Sequence, residues 1–77
     1  MKVIEHIRSI TDYNTEVNIC EIDYADGYTL HKNILLCDRL KNITIEVLLE
    51  YLDREVTQEE WYYYNIDDGE KVFLTIK

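Results

Sequence analysis

Residues 16–24 and 28–37, EVNICEIDY and YTLHKNILLC, decide the fold because they alternate apolar and polar side chains on both sides of the link ADG at 25–27. Such alternation indicates half-buried β-strands, and an Asp-Gly pair between two strands indicates a hairpin. With a three-residue link whose glycine is left-handed, Ile22 would lie opposite Leu30 on the core face. The sequence therefore predicts a first hairpin with an apolar side and a polar side.

A second hairpin is predicted over residues 60–66 and 71–77, EWYYYNI and KVFLTIK, with the link DDG at 67–69. In the register of a three-residue link, one face is apolar throughout. That face would hold Tyr62, Tyr64, Ile66, Val72, Leu74 and Ile76. A two-residue turn would shift the pairing by one and bring Trp61 and Tyr63 onto the apolar face of the second strand. Aromatic side chains occupy both faces in either register.

Helices are predicted before each hairpin. Residues 2–11 place aliphatic side chains at helical spacing, which predicts a short N-terminal helix. Residues 44–54 form an amphipathic pattern, with Thr44 as the N-cap and Glu46 in the first turn. The predicted buried stripe is Ile45, Leu48, Leu49 and Leu52. The order α-β-β-α-β-β predicts a small α+β single domain over residues 1–77, with a mostly antiparallel four-stranded sheet.

The charge of the chain limits its partners. Sixteen Asp and Glu residues against eight Lys and Arg give a net charge of -8. We therefore expect no direct binding to nucleic acid or to an anionic membrane, since both need a basic patch. The acids are clustered, because residues 12–26 carry a net charge of -5 and residues 46–70 carry -8. On the predicted second helix, Glu46, Glu50 and Asp53 form one exposed stripe.

Localisation and chemistry are predicted from features that the sequence lacks. No apolar segment follows the first residues, and no apolar run approaches the length of about 20 residues that a membrane helix needs. We therefore expect a cytoplasmic protein with no membrane partner. Cys20, Cys37 and the two histidines lack the ligand spacing of zinc modules, and neither hairpin link has a calcium-loop pattern. We expect no metal, no cofactor and no enzymatic activity.

The first functional interpretation is charge mimicry. An acidic surface would imitate nucleic acid, bind a basic partner protein and inhibit a nucleic-acid-binding enzyme such as a nuclease or polymerase. A composition rich in Ile, Tyr, Asn and Lys, with two glycines and no proline, indicates a low-GC source and favours a phage or mobile-element origin. Trp61 and Tyr63 would anchor the partner. The predicted partner-binding residues are Glu46, Glu50, Asp53, Glu55, Glu59, Glu60, Trp61, Tyr63, Asp67 and Asp68.

The alternative interpretation assigns the acids to solubility alone. Aromatic side chains on both faces of the second hairpin would then need cover. A structural or regulatory subunit would supply that cover by forming a homodimer or heteromer through the aromatic strand face. Salt separates the two interpretations, because a charge-based complex weakens as salt rises whereas an aromatic interface hardly responds.

Overall fold

A computed structural model describes residues 1–27, 29–63 and 69–77. The elements are α1 (Val3–Ser9), β1 (Glu16–Asp26), β2 (Thr29–Arg39), a 3-10 turn (Leu40–Asn42), α2 (Ile45–Leu48), β3 (Val56–Tyr63) and β4 (Glu70–Ile76). The predicted order α-β-β-α-β-β and the α+β class are confirmed. Tyr28 and residues 64–68, which include Asp67 and Asp68 of the predicted binding surface and most of the second link, lie outside the described residues.

The two hairpins join into one four-stranded sheet in the order β2-β1-β4-β3. Pairing within each hairpin is antiparallel, whereas the central strands β1 and β4 run parallel. The sheet is thus mostly antiparallel, as predicted, with one parallel pairing at its centre. Parallel strands need a long crossover connection, and the chain between the hairpins, which contains α2, provides it.

One face of the sheet packs against α1 and one residue of α2 to form the core. The fully buried aliphatic residues are Val3, Val17, Ile19, Val72 and Leu74. Parallel pairing places residues 16–21 of β1 beside residues 71–76 of β4, so these side chains form one continuous layer. Burying an aliphatic side chain stabilises a fold by about 1.5–3 kcal/mol, which makes this layer the main source of stability.

The register of the first hairpin differs from the predicted one. Strand β1 continues to Asp26, which pairs with Thr29, and Ile22 lies opposite Lys32 rather than Leu30. Two irregularities in the pairing shift the strands past each other, and alternation in the sequence does not reveal them. Val17 and Ile19 of β1 face the core, so alternation along the strand places Ile22 on the opposite face with Cys20, where it is 45% exposed instead of joining the core as predicted.

The second hairpin also departs from the register of a three-residue link. Trp61 lies opposite Val72, where that register placed Tyr64. The alternative turn predicted the correct face, because Trp61 shares the core side of the sheet with Val72. The left-handed glycines predicted for both links are confirmed, with φ of 53° at Gly27 and 71° at Gly69.

Helix α2 begins as predicted but ends early. The Thr44 hydroxyl caps it by accepting a hydrogen bond from the Val47 amide at 3.4 Å. The helix stops at Leu48 rather than continuing to residue 54. Beyond it, the carbonyls of Leu52 and Arg54 accept hydrogen bonds from the first amides of α1 at 3.1 and 3.0 Å. The segment that the sequence pattern assigned to a longer helix therefore bends to cap α1.

The opposite face of the sheet is covered by no helix of the described chain, yet Cys20 and Thr75 are buried there. Lys32 on the outer strand β2 reaches Gln58 and Glu60 on the other outer strand, β3, at 3.2 and 3.0 Å. Outer strands of a flat four-stranded sheet would lie about 14 Å apart, at roughly 4.8 Å per strand spacing. The sheet therefore curls over this helix-free face and covers its own centre.

Candidate functional site

The α2 ridge, defined as residues 45–50, exposes apolar and acidic side chains next to one another. Ile45 and Leu49 are 62% and 63% exposed, and Val47 is 45% exposed. Leu48 is the buried residue of the ridge, at 6% exposed. The predicted buried stripe is thus wrong for Ile45 and Leu49, because a helix of four residues presents little more than one side chain to the core.

Glu46 and Glu50 stand on the same ridge, four residues apart. Both are exposed, and within the described part of the chain neither forms an ion pair or a side-chain hydrogen bond. Like charges at this spacing repel each other by about 0.2–0.5 kcal/mol, which a bound cation would relieve. The ridge therefore combines two uncompensated carboxylates with three exposed aliphatic side chains.

The next two acids of the predicted surface hold the N-terminal segment. Asp53 lies 4.0 Å from the Lys2 ammonium, and Glu55 lies 3.2 Å from the N-terminal ammonium of Met1. Lys2 and Glu55 also form a backbone β-bridge. Exposed ion pairs contribute little stability, but each one offsets a charge that nucleic-acid mimicry would use. The predicted stripe of carboxylates is therefore interrupted at Asp53.

Glu59 faces α1 from the core side of β3. Its Oε2 lies 3.0 Å from Nδ1 of the buried His6, and its Oε1 accepts a hydrogen bond from the Trp61 indole N–H at 2.7 Å. A buried imidazole needs such a partner, because an unsatisfied polar group in the interior is costly. Glu59 thus joins α1 to the sheet rather than standing free for a partner.

Glu60 points to the helix-free side of β3, because successive strand residues face opposite ways. It accepts hydrogen bonds from the Tyr62 hydroxyl at 2.7 Å and from the Lys32 ammonium at 3.0 Å. The Tyr62 hydrogen bond, followed by the interactions with Lys32, lowers the pKa of the Glu60 carboxyl. The structure consequently does not bring Glu59 and Glu60 together on one surface.

Trp61 and Tyr63 line a cleft between the end of β3 and the connection from α1 to β1, which we call the Trp61 cleft. Trp61 is half-buried and packs against the core, whereas Tyr63 is 73% exposed. The cleft has a volume of about 250 Å³. Its main lining residues are Ile10, Asp12, Thr15, Trp61, Tyr63 and Glu70. The two predicted aromatic anchors therefore belong to one site.

Polar groups of the Trp61 cleft are incompletely satisfied. Thr15 is 1% exposed, and its hydroxyl has no hydrogen-bond partner among the described residues, which is uncommon for a buried polar atom. Asp12 accepts a local hydrogen bond from the Asn14 amide at 2.9 Å, and Glu70 lies opposite Tyr63 in the strand pairing. In residues 1–27, 29–63 and 69–77, neither carboxylate forms an ion pair.

Sequence reasoning missed Asp12, Thr15 and Glu70. No local pattern marks them, because the cleft forms only when β1 pairs with β4 and brings the chain before β1 to the end of the second hairpin. The nearest signal in the sequence was the aromatic run of β3. That run identified one wall of the cleft but not the wall across from it.

The two thiols occupy different environments. Cys20 is buried, with Sγ 3.5 Å from Thr75 Oγ1, and Cys37 is exposed. Desolvation, followed by the Glu16 carboxylate, raises the pKa of the Cys37 thiol, which disfavours the reactive thiolate. Across the described chain, no three His, Cys, Asp or Glu side chains converge as ligands of a metal ion would.

Comparison with known proteins does not assign the chain to a family. No protein family, curated protein or solved structure matches the chain. Neither helix in the described ranges has the length and apolar character needed to span a membrane. The chain's own surfaces must therefore supply the functional interpretation, and both the α2 ridge and the Trp61 cleft combine apolar with acidic groups.

Proposed function

We propose that this chain is a small, acidic, non-enzymatic protein of the cytoplasm that binds a basic partner protein. The observation that carries the proposal is the α2 ridge, where Ile45, Val47 and Leu49 are 45–63% exposed beside Glu46 and Glu50. Apolar side chains grouped in solvent are typical of interaction sites. Carboxylates at their side select a partner whose surface is both apolar and basic.

The partner class follows from the charge. The net charge of -8 would steer a basic protein toward the chain at long range. We propose that the partner is a nucleic-acid-binding enzyme of the nuclease or polymerase class, which the chain inhibits by charge mimicry, as an inhibitor from a phage or mobile element would. Among the described residues, four of the acids first assigned to this surface bind groups of the chain itself, so the described acids proposed to imitate phosphates are Glu46 and Glu50.

The spacing of these two acids supports mimicry. Glu46 lies in α2 and Glu50 in the turn that follows it, four residues along the chain, and four residues of helical chain rise by about 6 Å. Phosphates advance by about 3.4 Å along the axis of each DNA strand, and the winding of the strand increases the distance between them. A basic groove that holds successive phosphates would therefore accept both carboxylates. The exposed aliphatic side chains would add contact area that DNA does not offer.

Capture of the partner tests the proposal. The immobilised chain would be exposed to lysate of a low-GC bacterium, and retained proteins would be purified and titrated against it at low and high salt. We expect a basic, nucleic-acid-binding enzyme whose Kd weakens steeply as salt rises. The double variant Glu46→Lys/Glu50→Lys should weaken Kd by roughly 100-fold, since like-charge contacts cost several kcal/mol and about 1.4 kcal/mol is tenfold.

A matched control separates the ridge from net charge. Glu21→Lys/Asp23→Lys changes the charge by the same amount on β1, at a half-buried and an exposed position. This control should keep nearly the wild-type Kd at high salt, where long-range steering is screened. Equal weakening by both double variants would show that the ridge has no specific part. Failure to retain any basic protein would contradict the function itself.

A second candidate function is that of a structural or regulatory subunit that assembles through the helix-free face. Ile22, Ile34 and Tyr62 are 45%, 55% and 43% exposed there, and the Tyr62 ring meets Phe73 edge-on at 5.4 Å between centroids. Such a face would favour a homodimer that persists at high salt. Sedimentation of the wild type and of Ile34→Glu measures this directly, since the charged variant should be monomeric.

A further inference from the structure

The aromatic wall of the Trp61 cleft offers two rings that differ in exposure. The Trp61 indole is fixed by its hydrogen bond to Glu59 at 2.7 Å and by packing against the core. Tyr63, two residues along the same face of β3, is 73% exposed. A cation is attracted to the face of an aromatic ring, most strongly to that of tryptophan. This wall therefore suits a positively charged group that can lie against a ring.

Two carboxylates line the Trp61 cleft together with the aromatic wall. Asp12 comes from the connection between α1 and β1, and Glu70 begins β4 opposite Tyr63. Two carboxylates without cationic partners in the described chain would repel an anion and would accept charge-assisted hydrogen bonds from a bound cation. The charge of the cleft thus points to the same class of ligand as its rings.

Thr15 supplies an independent sign of a missing ligand group. Its side chain is 1% exposed at the back of the cleft, and its hydroxyl lacks a hydrogen-bond partner among the described residues. Buried hydroxyls are nearly always paired, because an unpaired one has lost its hydrogen bonds to water without replacing them. A polar group entering the cleft would satisfy this hydroxyl, whereas a purely apolar ligand would not.

We infer that the Trp61 cleft binds the guanidinium group of an arginine side chain on the basic partner, an inference that rests on the proposed function. Guanidinium is planar, stacks on aromatic rings and presents a fork of donors that matches carboxylates. A lysine ammonium lacks the flat surface. The cleft volume of about 250 Å³ is smaller than the roughly 300–1,000 Å³ of small-molecule pockets, which fits the end of one side chain.

The test uses the fluorescence of Trp61, which is the single tryptophan of the chain. The full chain would be titrated with N-acetyl-arginine amide and, separately, with N-acetyl-citrulline amide, which has nearly the same shape without the charge. We expect a saturable change with the arginine compound and at least a roughly tenfold weaker response to the citrulline compound, equivalent to about 1.4 kcal/mol. Equal responses to both compounds would overturn the inference.

Two double variants locate the binding. Asp12→Asn/Glu70→Gln removes both charges while keeping the side-chain shapes, and it should weaken arginine binding by roughly tenfold or more, as expected for lost charge-assisted hydrogen bonds. Glu21→Gln/Asp23→Asn removes the same charge from β1, outside both the cleft and the ridge, and should leave arginine binding unchanged. If the cleft variant binds arginine as well as the wild type, the cleft is not the site.

Wild-type chemical shifts keep the inference testable should the cleft variant fail to fold. Arginine amide should move the amide signals of residues 9–15 and the indole signal of Trp61, and should leave those of the α2 ridge unmoved. Shifts spread evenly over the acidic surface would contradict a defined site. If arginine amide binds the cleft but no basic partner is found, the proposed function is refuted and the cleft is not. If a basic partner is found but its Kd is unchanged by Asp12→Asn/Glu70→Gln, the role of the cleft is refuted and the proposed function is not.

Discussion

The acids of α2 and those of β3 come from one acidic stretch of the sequence but act differently. Glu46 on α2 and Glu50 in the turn after it face solvent and bind no group of the described chain. On β3, Glu59 and Glu60 each bind two groups of the chain, one acid on each face of the sheet. Neighbouring charges separate across a strand, whereas Glu46 and Glu50, on a short helix and the turn after it, both remain in solvent. A run of like charges therefore predicts a surface only once its secondary structure is known.

The largest effect should come from the one ridge residue that contacts the core. Leu48→Ala removes a side chain that is 6% exposed and should lower the free energy of unfolding by about 2–5 kcal/mol. Leu49→Ala, next to it and 63% exposed, should change stability by less than about 0.5 kcal/mol. Urea denaturation measures both. A large loss of stability in Leu49→Ala would mean that the ridge is part of the core and is not kept for a partner.

Glu59 on β3 should contribute more to folding stability than Glu55, whose carboxylate forms an exposed ion pair with the N-terminal ammonium. Glu59→Ala leaves the buried His6 imidazole and the Trp61 indole N–H without their acceptor, which should cost about 1–3 kcal/mol. Glu55→Ala, which breaks an exposed ion pair, is the matched control and should cost little. Thermal unfolding of both variants at neutral pH compares them. Equal effects would remove the distinction between structural and solvent-facing acids.

The sequence was sufficient for the elements but not for their registers. Alternation and the two Asp-Gly links identified both hairpins, and Thr44 marked the start of α2 because capping is a local interaction. The exposure of Ile22 was not predicted, because both alternating sets of β1 contain apolar residues and the packing of Val17 and Ile19 into the core decides which set is buried. The early end of α2 depends on a contact with α1, which no local pattern encodes.

The candidate site was predictable to the same limited degree. Trp61 and Tyr63 were singled out from the aromatic run beside Glu59 and Glu60, and both line one cleft in the structure. Asp12 and Glu70 were not, because they meet the aromatic residues only through the parallel pairing of β1 with β4. Long-range pairing therefore limits what local patterns can predict about this surface.

The stability that Glu60 contributes on the helix-free face should depend on pH. The Tyr62 hydrogen bond and Lys32 hold the pKa of Glu60 below its ordinary value. A depressed folded-state pKa stabilises the fold above the unfolded-state pKa, and this contribution is lost as pH falls through the folded-state pKa. The wild type should therefore have a higher Tm than Glu60→Gln at neutral pH, and this difference in Tm should vanish at acidic pH. A difference that stays constant with pH would mean that Glu60 acts without its charge.

The smallest expected change in the free energy of unfolding is an increase, and it comes from the α2 ridge. Glu46→Gln/Glu50→Gln removes a repulsion between like charges, so the free energy of unfolding should rise by about 0.2–0.5 kcal/mol. Partner binding should weaken at the same time, because the removed charges are the ones proposed to select a basic surface. These two effects together would assign Glu46 and Glu50 to partner binding rather than to folding. Unfolding curves at low and high salt measure the gain in stability, which high salt should abolish. If the variant is instead less stable than the wild type, Glu46 and Glu50 contribute to the fold as the acids of β3 do.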